Sequence, residues 1–235
     1  MNILITGASS GIGYHTVKQF SKDLGNTVIA ISRDASKLES LRLECLKENG
    51  SKIIVIPCDL SKTDSYTQLH GTINSHITHL DILINNAGYL VNKPFLKISG
   101  KELLDCYSVN VFAPFMLIQA LLPLLIKSVQ AQIINVGSMG GMNATSKFAG
   151  LSAYSSSKGA LSILSECLAE DFKEYNIRVN CLAIGSVNTE MLKRAFPLFI
   201  APHEATEMAD FIVNFATKAA PFFNGKTIPV SSSSP

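Results

Sequence analysis

Short apolar runs alternate with longer helical patterns along almost the whole chain, and this alternation limits the folds that the chain can adopt. Buried strands separated by helices are typical of a parallel sheet that helices cover on both faces. The sequence therefore predicts an α/β fold with a doubly wound parallel sheet in a single domain. The predicted strands are Asn2–Thr6, Thr27–Ser32, Lys52–Pro57, Asp81–Asn85, Gln132–Gly137, Arg178–Ala183 and Lys226–Val230.

Helical patterns fill the segments between these strands. Ser36 is predicted to cap the second helix, with Glu39 completing a capping box and Asn49-Gly50 ending the helix. The domain is predicted to cover residues 1–230, followed by a frayed polar tail at 231–235. The predicted helices run from the first glycine turn to about Leu24, over Ser36–Glu48, up to about His79, and over Gly100–Lys127, Tyr154–Tyr175 and Pro202–Ala220.

The composition excludes several classes of protein. The chain has 235 residues, 47% of them apolar, and a net charge of +2, which fits one globular domain without a basic footprint for nucleic acid. Lysine and arginine are scattered along the sequence, so no membrane role is predicted. The five cysteines lack a C-x-x-C spacing, which predicts no metal site and favours a reducing, cytoplasmic location.

One apolar stretch, Val111–Ile126, approaches the length of a membrane span. Pro114, Gln119 and Pro123 interrupt it, and it is shorter than the ~20 residues that a bilayer requires. The stretch is therefore predicted to be a buried or subunit-interface helix.

A glycine-rich turn follows the first predicted strand and opens the first predicted helix. Its sequence is Thr6-Gly-Ala-Ser-Ser-Gly-Ile-Gly13, and its glycines allow a tight turn and close approach of the backbone to a pyrophosphate. The free N–H groups of the helix N-terminus favour the same anion. The turn therefore predicts a dinucleotide site, and a P-loop is excluded because no Gly-Lys-Ser/Thr follows these glycines.

The spacing G-x-x-x-G-x-G resembles the classical short-chain dehydrogenase/reductase family, and further motifs of that family follow in order. Asp59-Leu60 follows the third strand, where the family's aspartate contacts the adenine, and Asn85-Asn-Ala-Gly88 matches the family's N-N-A-G. The resemblance covers Asn2 to about Val230 and implies a Rossmann-type fold. The cofactor-binding residues that it implies are Gly7, Ser9, Ser10, Gly11, Ile12, Gly13, Ser32, Arg33, Asp59, Leu60, Asn86, Ala87, Gly88, Tyr154, Lys158, Val187 and Thr189.

Tyr154 and Lys158 are four residues apart in a helical pattern, so their side chains lie on one face. A free phenol has a pKa of about 10, and a neighbouring ammonium favours the phenolate. We therefore predict that Lys158 lowers the pKa of Tyr154 and prepares the phenol for acid–base catalysis.

The family resemblance implies the remaining catalytic residues. Ser138 is similar to the family serine that binds the substrate carbonyl, and Asn110 to the family asparagine that holds a water linking Lys158 to solvent. Tyr154 is then expected to protonate the developing alkoxide while the nicotinamide delivers hydride, and Lys158 to bind the ribose as well. Ile184 departs from the family, which usually has proline there, and this change is expected to loosen the turn before Val187 and Thr189.

The end of the second strand predicts NADP(H) rather than NAD(H). An NAD enzyme usually has an acidic residue there, which binds the ribose 2′-hydroxyl. This chain has Ser32, followed by Arg33, whose guanidinium can bind a 2′-phosphate in a fork. Asp34 is expected either to pair with Arg33 or to cap the next helix.

The resemblance implies an NADPH-dependent carbonyl reductase. Three kinds stay open, which are 3-oxoacyl-carrier-protein reductase, sepiapterin-type reductase and xenobiotic ketone reductase. A non-catalytic NADP(H) sensor and a nucleotide-sugar epimerase or dehydratase are the competing classes. The segment from Asn188 to about Asp210 is predicted to form a lid whose apolar residues either pack it down or line a pocket for a hydrophobic or aromatic carbonyl.

The assembly is expected to be a homodimer or homotetramer. The Gly100–Lys127 and Tyr154–Tyr175 helices are apolar on several faces, and the subunits of the family meet at these two helices.

Overall fold

The computed structural model describes residues 1–49, 52–62 and 65–232. The strands are β1 (Asn2–Thr6), β2 (Thr27–Ser32), β3 (Lys52–Pro57), β4 (Ile82–Asn85), β5 (Gln132–Val136), β6 (Arg178–Ile184), β7 (Val187–Asn188), β8 (His203–Glu204) and β9 (Lys226–Val230). The α-helices are α1 (Gly11–Ser21), α2 (Ala35–Asn49), α3 (Ser65–Asn74), α4 (Gly100–Tyr107), α5 (Ala113–Ile126), α6 (Ser152–Asp171), α7 (Glu190–Ala195) and α8 (Ala205–Asn214).

Seven of these strands form one parallel sheet in the order β3-β2-β1-β4-β5-β6-β9. Alternate residues of each strand face opposite layers: Ile3 and Ile5 pack with α1, α2 and α8, whereas Leu4 packs with α3, α5 and α6. The predicted doubly wound α/β fold is confirmed. The strand order reverses between β1 and β4, so a crevice opens there at the carboxyl edge of the sheet.

The start of α2 differs from the prediction. The helix begins at Ala35, and the Asp34 carboxylate accepts hydrogen bonds from the Lys37 backbone N–H (3.0 Å) and the Ser36 hydroxyl (2.8 Å). Asp34 is therefore the cap, and the predicted capping box of Ser36 with Glu39 is wrong. Both residue types favour caps, and Asp34 takes the position because it directly precedes the first helical residue, where its negative charge is also favourable.

Other predicted helix ends also shift. The first helix ends at Ser21 rather than near Leu24, and the third ends at Asn74 rather than near His79. Gly50, the predicted end of the second helix, and Ser233–Pro235 of the predicted tail lie outside the described residues. The division into residues 1–230 and a tail stays a prediction.

The predicted long helix is continuous from Gly100 to Ile126, because a π-helical turn, Ser108–Phe112, joins α4 to α5. The 27 residues of the whole helix are long and apolar enough to cross a membrane by length and composition, whereas the predicted stretch Val111–Ile126 covers only part of them. Leu117 and Leu121 are nevertheless fully buried in the core. In the most apolar part of this helix only 44% is buried, so a second face of the helix is left for another partner.

A buried line of polar side chains crosses from the centre of the sheet to α6. Asn85 Nδ2 donates to Asn135 Oδ1, and Asn135 Nδ2 donates to Ser165 Oγ, both over 2.8 Å. Ser165 donates in turn to the Leu161 carbonyl (2.8 Å). Buried polar groups are tolerated only when they are paired, so this line fixes α6 against β4 and β5.

We expect Asn135→Ala to lower the free energy of unfolding by about 1–3 kcal/mol, because it leaves Asn85 Nδ2 buried without its partner and removes the hydrogen bond that Ser165 Oγ accepts. Urea denaturation measures the change. Asn214→Ala is the control, because Asn214 is exposed near the end of α8, and its effect is expected to stay within about 0.5 kcal/mol. Equal effects of the two substitutions would contradict the structural role of the polar line.

Candidate active site

The ends of β1 and β4 are tied together by Thr6. Its hydroxyl oxygen accepts hydrogen bonds from the backbone N–H groups of Asn86 and Ala87, each over 3.0 Å. Asn86 Nδ2 donates back to the Thr6 carbonyl, also over 3.0 Å. Thr6 is 1% exposed, so these bonds are protected from water. They hold the glycine turn directly against the loop that follows β4.

Two glycines are required where these loops meet. Gly7 has a φ of +67°, and a side-chain carbon there would lie 2.8 Å from Ala87 Cα. A side-chain carbon on Gly13 would lie 2.5 Å from the Gly7 carbonyl oxygen. Neither position has room for a larger residue, because each neighbour is backbone. The predicted glycine turn and Asn-Asn-Ala-Gly loop therefore form one unit.

The glycine turn fits a pyrophosphate. Ser10 stands at the N-cap of α1 in extended conformation, and its side chain makes no capping bond among the described residues. The first N–H groups of α1 are therefore available to an anion at the positive end of the helix. The Ile12 side chain is buried in the core, so only its backbone can face a ligand. Gly11 lies across from Thr189, whose Cγ2 would be 3.3 Å from a side-chain carbon on Gly11.

The adenosine end is formed where β2 and β3 terminate. Ser32 Oγ donates to Ser9 Oγ over 2.7 Å, which joins the end of β2 to the glycine turn. Arg33 is exposed and close to Asp59. Burial opposes ionisation of Asp59, but hydrogen bonds from Ser61 and the charge of Arg33 bring the pKa of its carboxyl below the ordinary value. The Leu60 side chain packs in the core, so its contribution to a ligand is limited to the backbone.

The carboxylate of Asp34 is turned to the start of α2 and not to the adenosine end of the site. Its carboxylate is held at the start of α2 by Lys37 and Ser36, and the Lys37 backbone hydrogen bond is the largest cause that lowers its pKa. The structure thus favours the capping role that the sequence left open, and Arg33 retains its guanidinium for a ligand.

Asn110 lies within the π-helical turn and is fully buried. Its Oδ1 accepts from the Tyr89 N–H (2.8 Å), and its Nδ2 donates to the Tyr89 carbonyl and to Ser157 Oγ (2.9 Å each). Such turns are rare inside helices and frequent at functional sites. The turn therefore fixes Asn110 between the loop after β4 and α6.

Sequence reasoning missed Ser157, which lies between Tyr154 and Lys158 in the chain. Its hydroxyl donates to the Tyr154 carbonyl (2.7 Å) while it accepts from Asn110. Sequence reasoning also missed Thr6, which acts through its hydroxyl at the end of β1, and Tyr89, which acts through its backbone. Ser157 could have been found as a polar residue one helical turn after Tyr154. The backbone of Tyr89 leaves no signal in the sequence.

Lys158 is 3% exposed, and its Nζ donates to the Val136 carbonyl over 2.7 Å. Burial lowers the pKa of Lys158 to about 8. Burial also raises the pKa of Tyr154 to about 12, against the hydrogen bond to Ser138, which lowers it. The pKa of Tyr154 therefore lies above its ordinary value, because the loss of water around the phenol dominates. The Lys158 ammonium lies 5.9 Å from the ring centre, and its effect on the pKa of the phenol stays a prediction.

Two of the predicted catalytic residues, Asn110 and Lys158, converge on Gly88. A side-chain carbon on Gly88 would lie 3.6 Å from Asn110 Oδ1, 3.8 Å from Lys158 Nζ and 3.6 Å from Met191 Cε. Ser138 lies beside the Tyr154 phenol and accepts a hydrogen bond from the Gly140 N–H (3.2 Å). A protonated phenol and a serine hydroxyl thus stand together near an ammonium, which is an arrangement able to bind an oxygen and transfer a proton to it.

The segment after β6 differs from its prediction in two ways. Ile184 continues β6 in register with Val230 of β9, and the Gly185 N–H donates to the Val230 carbonyl (2.9 Å), so the expected loosening of the turn is not seen. The lid is also shorter than predicted, because α8 packs against α1 from Ala205 onward. Val187 is buried and pairs with His203, which holds the two ends of the lid together.

Comparison with known proteins identifies the family. The chain matches the family described as short chain dehydrogenase over residues 1–197. The fatty acyl-CoA reductase of Acinetobacter baylyi is 31% identical over 218 residues, which cover 89% of this chain and 72% of that protein. The uncharacterized oxidoreductase YciK of Escherichia coli is 33% identical over 198 residues, which cover 83% of this chain and 77% of that protein.

Solved structures share the whole fold. A short chain dehydrogenase from Shigella flexneri complexed with NADP has a TM-score of 0.90 at 29% identity, covering 97% of this chain and 95% of its own. One from Escherichia coli complexed with NADPH has a TM-score of 0.88 at 29% identity, with the same coverage of both chains. With its glycine turn, its Tyr154–Lys158 pair and this match in sequence and fold, the chain belongs to the short-chain dehydrogenase family of oxidoreductases.

Proposed function

We propose that this oxidoreductase is an NADP(H)-dependent reductase that converts a carbonyl group to an alcohol. The observation that carries the proposal is a chain of contacts: Ser138 bonds the Tyr154 phenol, the Lys158 ammonium lies 5.9 Å from the Tyr154 ring centre, and Lys158 and Asn110 both border Gly88. A non-catalytic sensor of NADP(H) would need the glycine turn but not this set of proton-transfer groups.

The residues present fit the cofactor. The uncapped start of α1 and the glycine turn would hold the pyrophosphate, and Ser32, Arg33 and Asp59 lie where an adenosine would end. Thr189 and Val187 lie across from the glycine turn, and Gly88 leaves open the space beside Lys158 and Asn110. When bound, the nicotinamide supplies or accepts the hydride.

The protonation states favour carbonyl reduction. With a pKa of about 12, Tyr154 keeps its proton at neutral pH and can donate it to the oxygen of the substrate. Lys158, with a pKa of about 8, is mostly charged at neutral pH and stabilises negative charge that develops beside it. Ser138 would bind the same oxygen, and Asn110, which borders Gly88 together with Lys158, would hold the water that links Lys158 to solvent. These roles require no further residue to supply the proton.

NADP(H) is preferred over NAD(H) because the end of β2 presents a serine and a free guanidinium instead of a carboxylate. Arg33 is exposed at this edge, and Asp34 is engaged at the start of α2. The related structures from Shigella flexneri and Escherichia coli, which are complexed with NADP and NADPH, support the same preference.

The substrate is proposed to be an apolar carbonyl compound. Met191 of the lid lies next to the catalytic groups, and Leu198 and Ile200 extend from the same lid. The relatedness to a fatty acyl-CoA reductase supports a substrate with an aliphatic chain. A 3-oxoacyl thioester, a pterin ketone and an aromatic ketone form the panel that separates the reductase types.

The assembly is proposed to be a homodimer or homotetramer in the cytoplasm. Leu104, Phe112 and Phe115 are exposed on the long helix, and Ile163 is exposed on α6, so an apolar surface remains on both helices. This surface fits a subunit contact better than a membrane span, because the opposite side of the long helix packs in the core. Cys45, Cys106, Cys167 and Cys181 are free thiols, which fits a reducing compartment.

We expect Tyr154→Phe to lower the rate of NADPH-dependent carbonyl reduction by roughly 10²–10⁴-fold, because it removes the proton donor and keeps the ring. The test is NADPH consumption over the carbonyl panel, with cofactor binding followed by fluorescence titration. Tyr175→Phe, at an exposed tyrosine, serves as the control. The catalytic assignment fails if Tyr154→Phe turns over at the wild-type rate.

We expect Arg33→Ala to weaken NADPH binding by roughly 1.5–3 kcal/mol, the range of a charged hydrogen bond, with little change for NADH. Titration with both cofactors measures the difference. Arg42→Ala is the matched control, since Arg42 pairs with Glu39 on α2. A wild-type enzyme that binds NADH more tightly than NADPH would show that Ser32 and Arg33 do not select the cofactor.

We expect light scattering to give at least twice the mass of one chain at micromolar concentration. Phe112→Glu should reduce that mass, because it places a charge in the proposed contact, whereas Leu43→Glu on exposed α2 should not. A wild-type monomer, or an unchanged mass for Phe112→Glu, contradicts the proposed contact.

A further inference from the structure

Several large apolar side chains extend into solvent from three separate loops at the carboxyl edge of the sheet. We name them the apolar rim, and each of the three loops contributes at least one. Leu96, Leu198 and Ile200 are 95%, 97% and 91% exposed, so almost none of their surface packs on the protein. The apolar rim consists of Phe95, Leu96, Phe148, Leu198, Phe199 and Ile200.

Hydrogen bonds bring the three loops together. Asn92 Nδ2 donates to the Ala195 carbonyl at the end of α7 (2.8 Å). The Lys93 N–H donates to the Gly150 carbonyl of the loop between β5 and α6 (3.0 Å). Every residue of the rim lies within five positions of one of these joined residues. The rim is therefore one surface, although its members are up to 105 positions apart in the sequence.

The rim borders the active site. Met191, five residues before Phe196 in the lid, lies beside Gly88, Asn110 and Lys158. The lid thus extends from the catalytic groups at one end to the rim at the other. A molecule that the rim contacts is at the mouth of the site.

Cationic side chains accompany the rim on each loop. Lys97 follows Leu96, Lys147 precedes Phe148, and Lys193 and Arg194 precede the lid tip. None of these four pairs with a carboxylate in the described part of the chain. Lys93 is a fifth cation but is paired with Glu102, and Glu190 is the one acidic side chain within residues 92–97, 145–148 and 190–200.

We propose that the apolar rim docks this protein on the surface of an anionic phospholipid bilayer. Exposed apolar side chains that are adjacent in the chain to cations without a carboxylate partner in the described residues are complementary to a surface that is negative outside and apolar beneath. A protein partner would need a matching pocket for each tip, since protein interfaces require close shape complementarity. A fluid bilayer accepts separate side chains from separate loops without such a match.

The sequence did not predict this surface, because the cations concerned are scattered along the chain. Folding gathers them with the apolar tips at one edge of the sheet. The docking is peripheral, since it uses loop tips and no spanning helix. It also orients the mouth of the active site toward the lipid.

Cosedimentation with vesicles tests the proposal and needs no enzymatic activity, so it is independent of the proposed reaction. Purified protein is mixed with vesicles of phosphatidylcholine alone or with roughly 30% phosphatidylglycerol added, because anionic lipid attracts basic side chains. We expect at least tenfold tighter binding to the anionic vesicles, weakened by raising the salt concentration.

The double substitution Leu96→Ser/Ile200→Ser should reduce binding to the anionic vesicles at least tenfold. Leu24→Ser/Val129→Ser is the matched control, because both residues are highly exposed apolar side chains on other loops. Lys193→Gln/Arg194→Gln should reduce binding mainly at low salt. Thermal melting checks that each variant is folded.

Three results would overturn the proposal. The first is wild-type protein that stays in the supernatant with both kinds of vesicle. The second is unchanged vesicle binding by the Leu96/Ile200 variant, which would show that charge attraction accounts for the binding without the apolar rim. The third combines two observations: the wild type binds no vesicle, and the Leu96/Ile200 variant has a lower solution mass than the wild type without lipid. That result would assign the rim to a contact with a second copy of the chain.

Discussion

The two hydrogen bonds that the Thr6 hydroxyl accepts determine where this protein can bind a dinucleotide. They join the ends of β1 and β4, the two neighbouring strands between which the sheet order reverses. Helices leave the two strands on opposite faces of the sheet, so a crevice opens between the loops that follow them. With Thr6 buried and both N–H groups satisfied, the loops are held at a fixed separation. At this separation Gly7 and Gly13 are needed because the loops approach closely, and Gly88 borders the catalytic side chains.

A second set of buried hydrogen bonds connects these loops to α6, the helix that contains Tyr154 and Lys158. Asn110 connects the backbone of Tyr89 to Ser157, and Ser157 connects to the Tyr154 carbonyl. Asn85 and Asn135 make a parallel connection to Ser165 of α6. Because these groups are buried, each lost bond would leave an unpaired polar atom, which makes the arrangement strongly preferred over a shifted one. The same burial that secures the geometry raises the pKa of Tyr154 and lowers that of Lys158.

Features set by local chemistry could be predicted from the sequence, and features set by distant contacts could not. The strands were predictable because both faces of the sheet are covered, so each strand is an apolar run. The glycine turn was predictable from its spacing together with its place between a strand and a helix, and the Tyr154–Lys158 pair from its helical spacing together with the family resemblance. The choice of Asp34 over Ser36 as helix cap was not, because both are good caps and one backbone position decides between them. The pKa of Tyr154 required the burial of the folded chain, and the apolar rim required the loops to meet.

The departure from the family pattern at Ile184 is explained by the neighbouring strand β9. Ile184 stands where the family usually has proline. In the structure Ile184 and Val230 are paired in register, and the Gly185 N–H donates to Val230. A proline at 184 fixes φ and has no N–H, whereas isoleucine lets β6 continue for one more residue beside β9. The turn that proline would stiffen is therefore held by the neighbouring strand, and the segment that carries Val187 and Thr189 keeps its place beside the glycine turn.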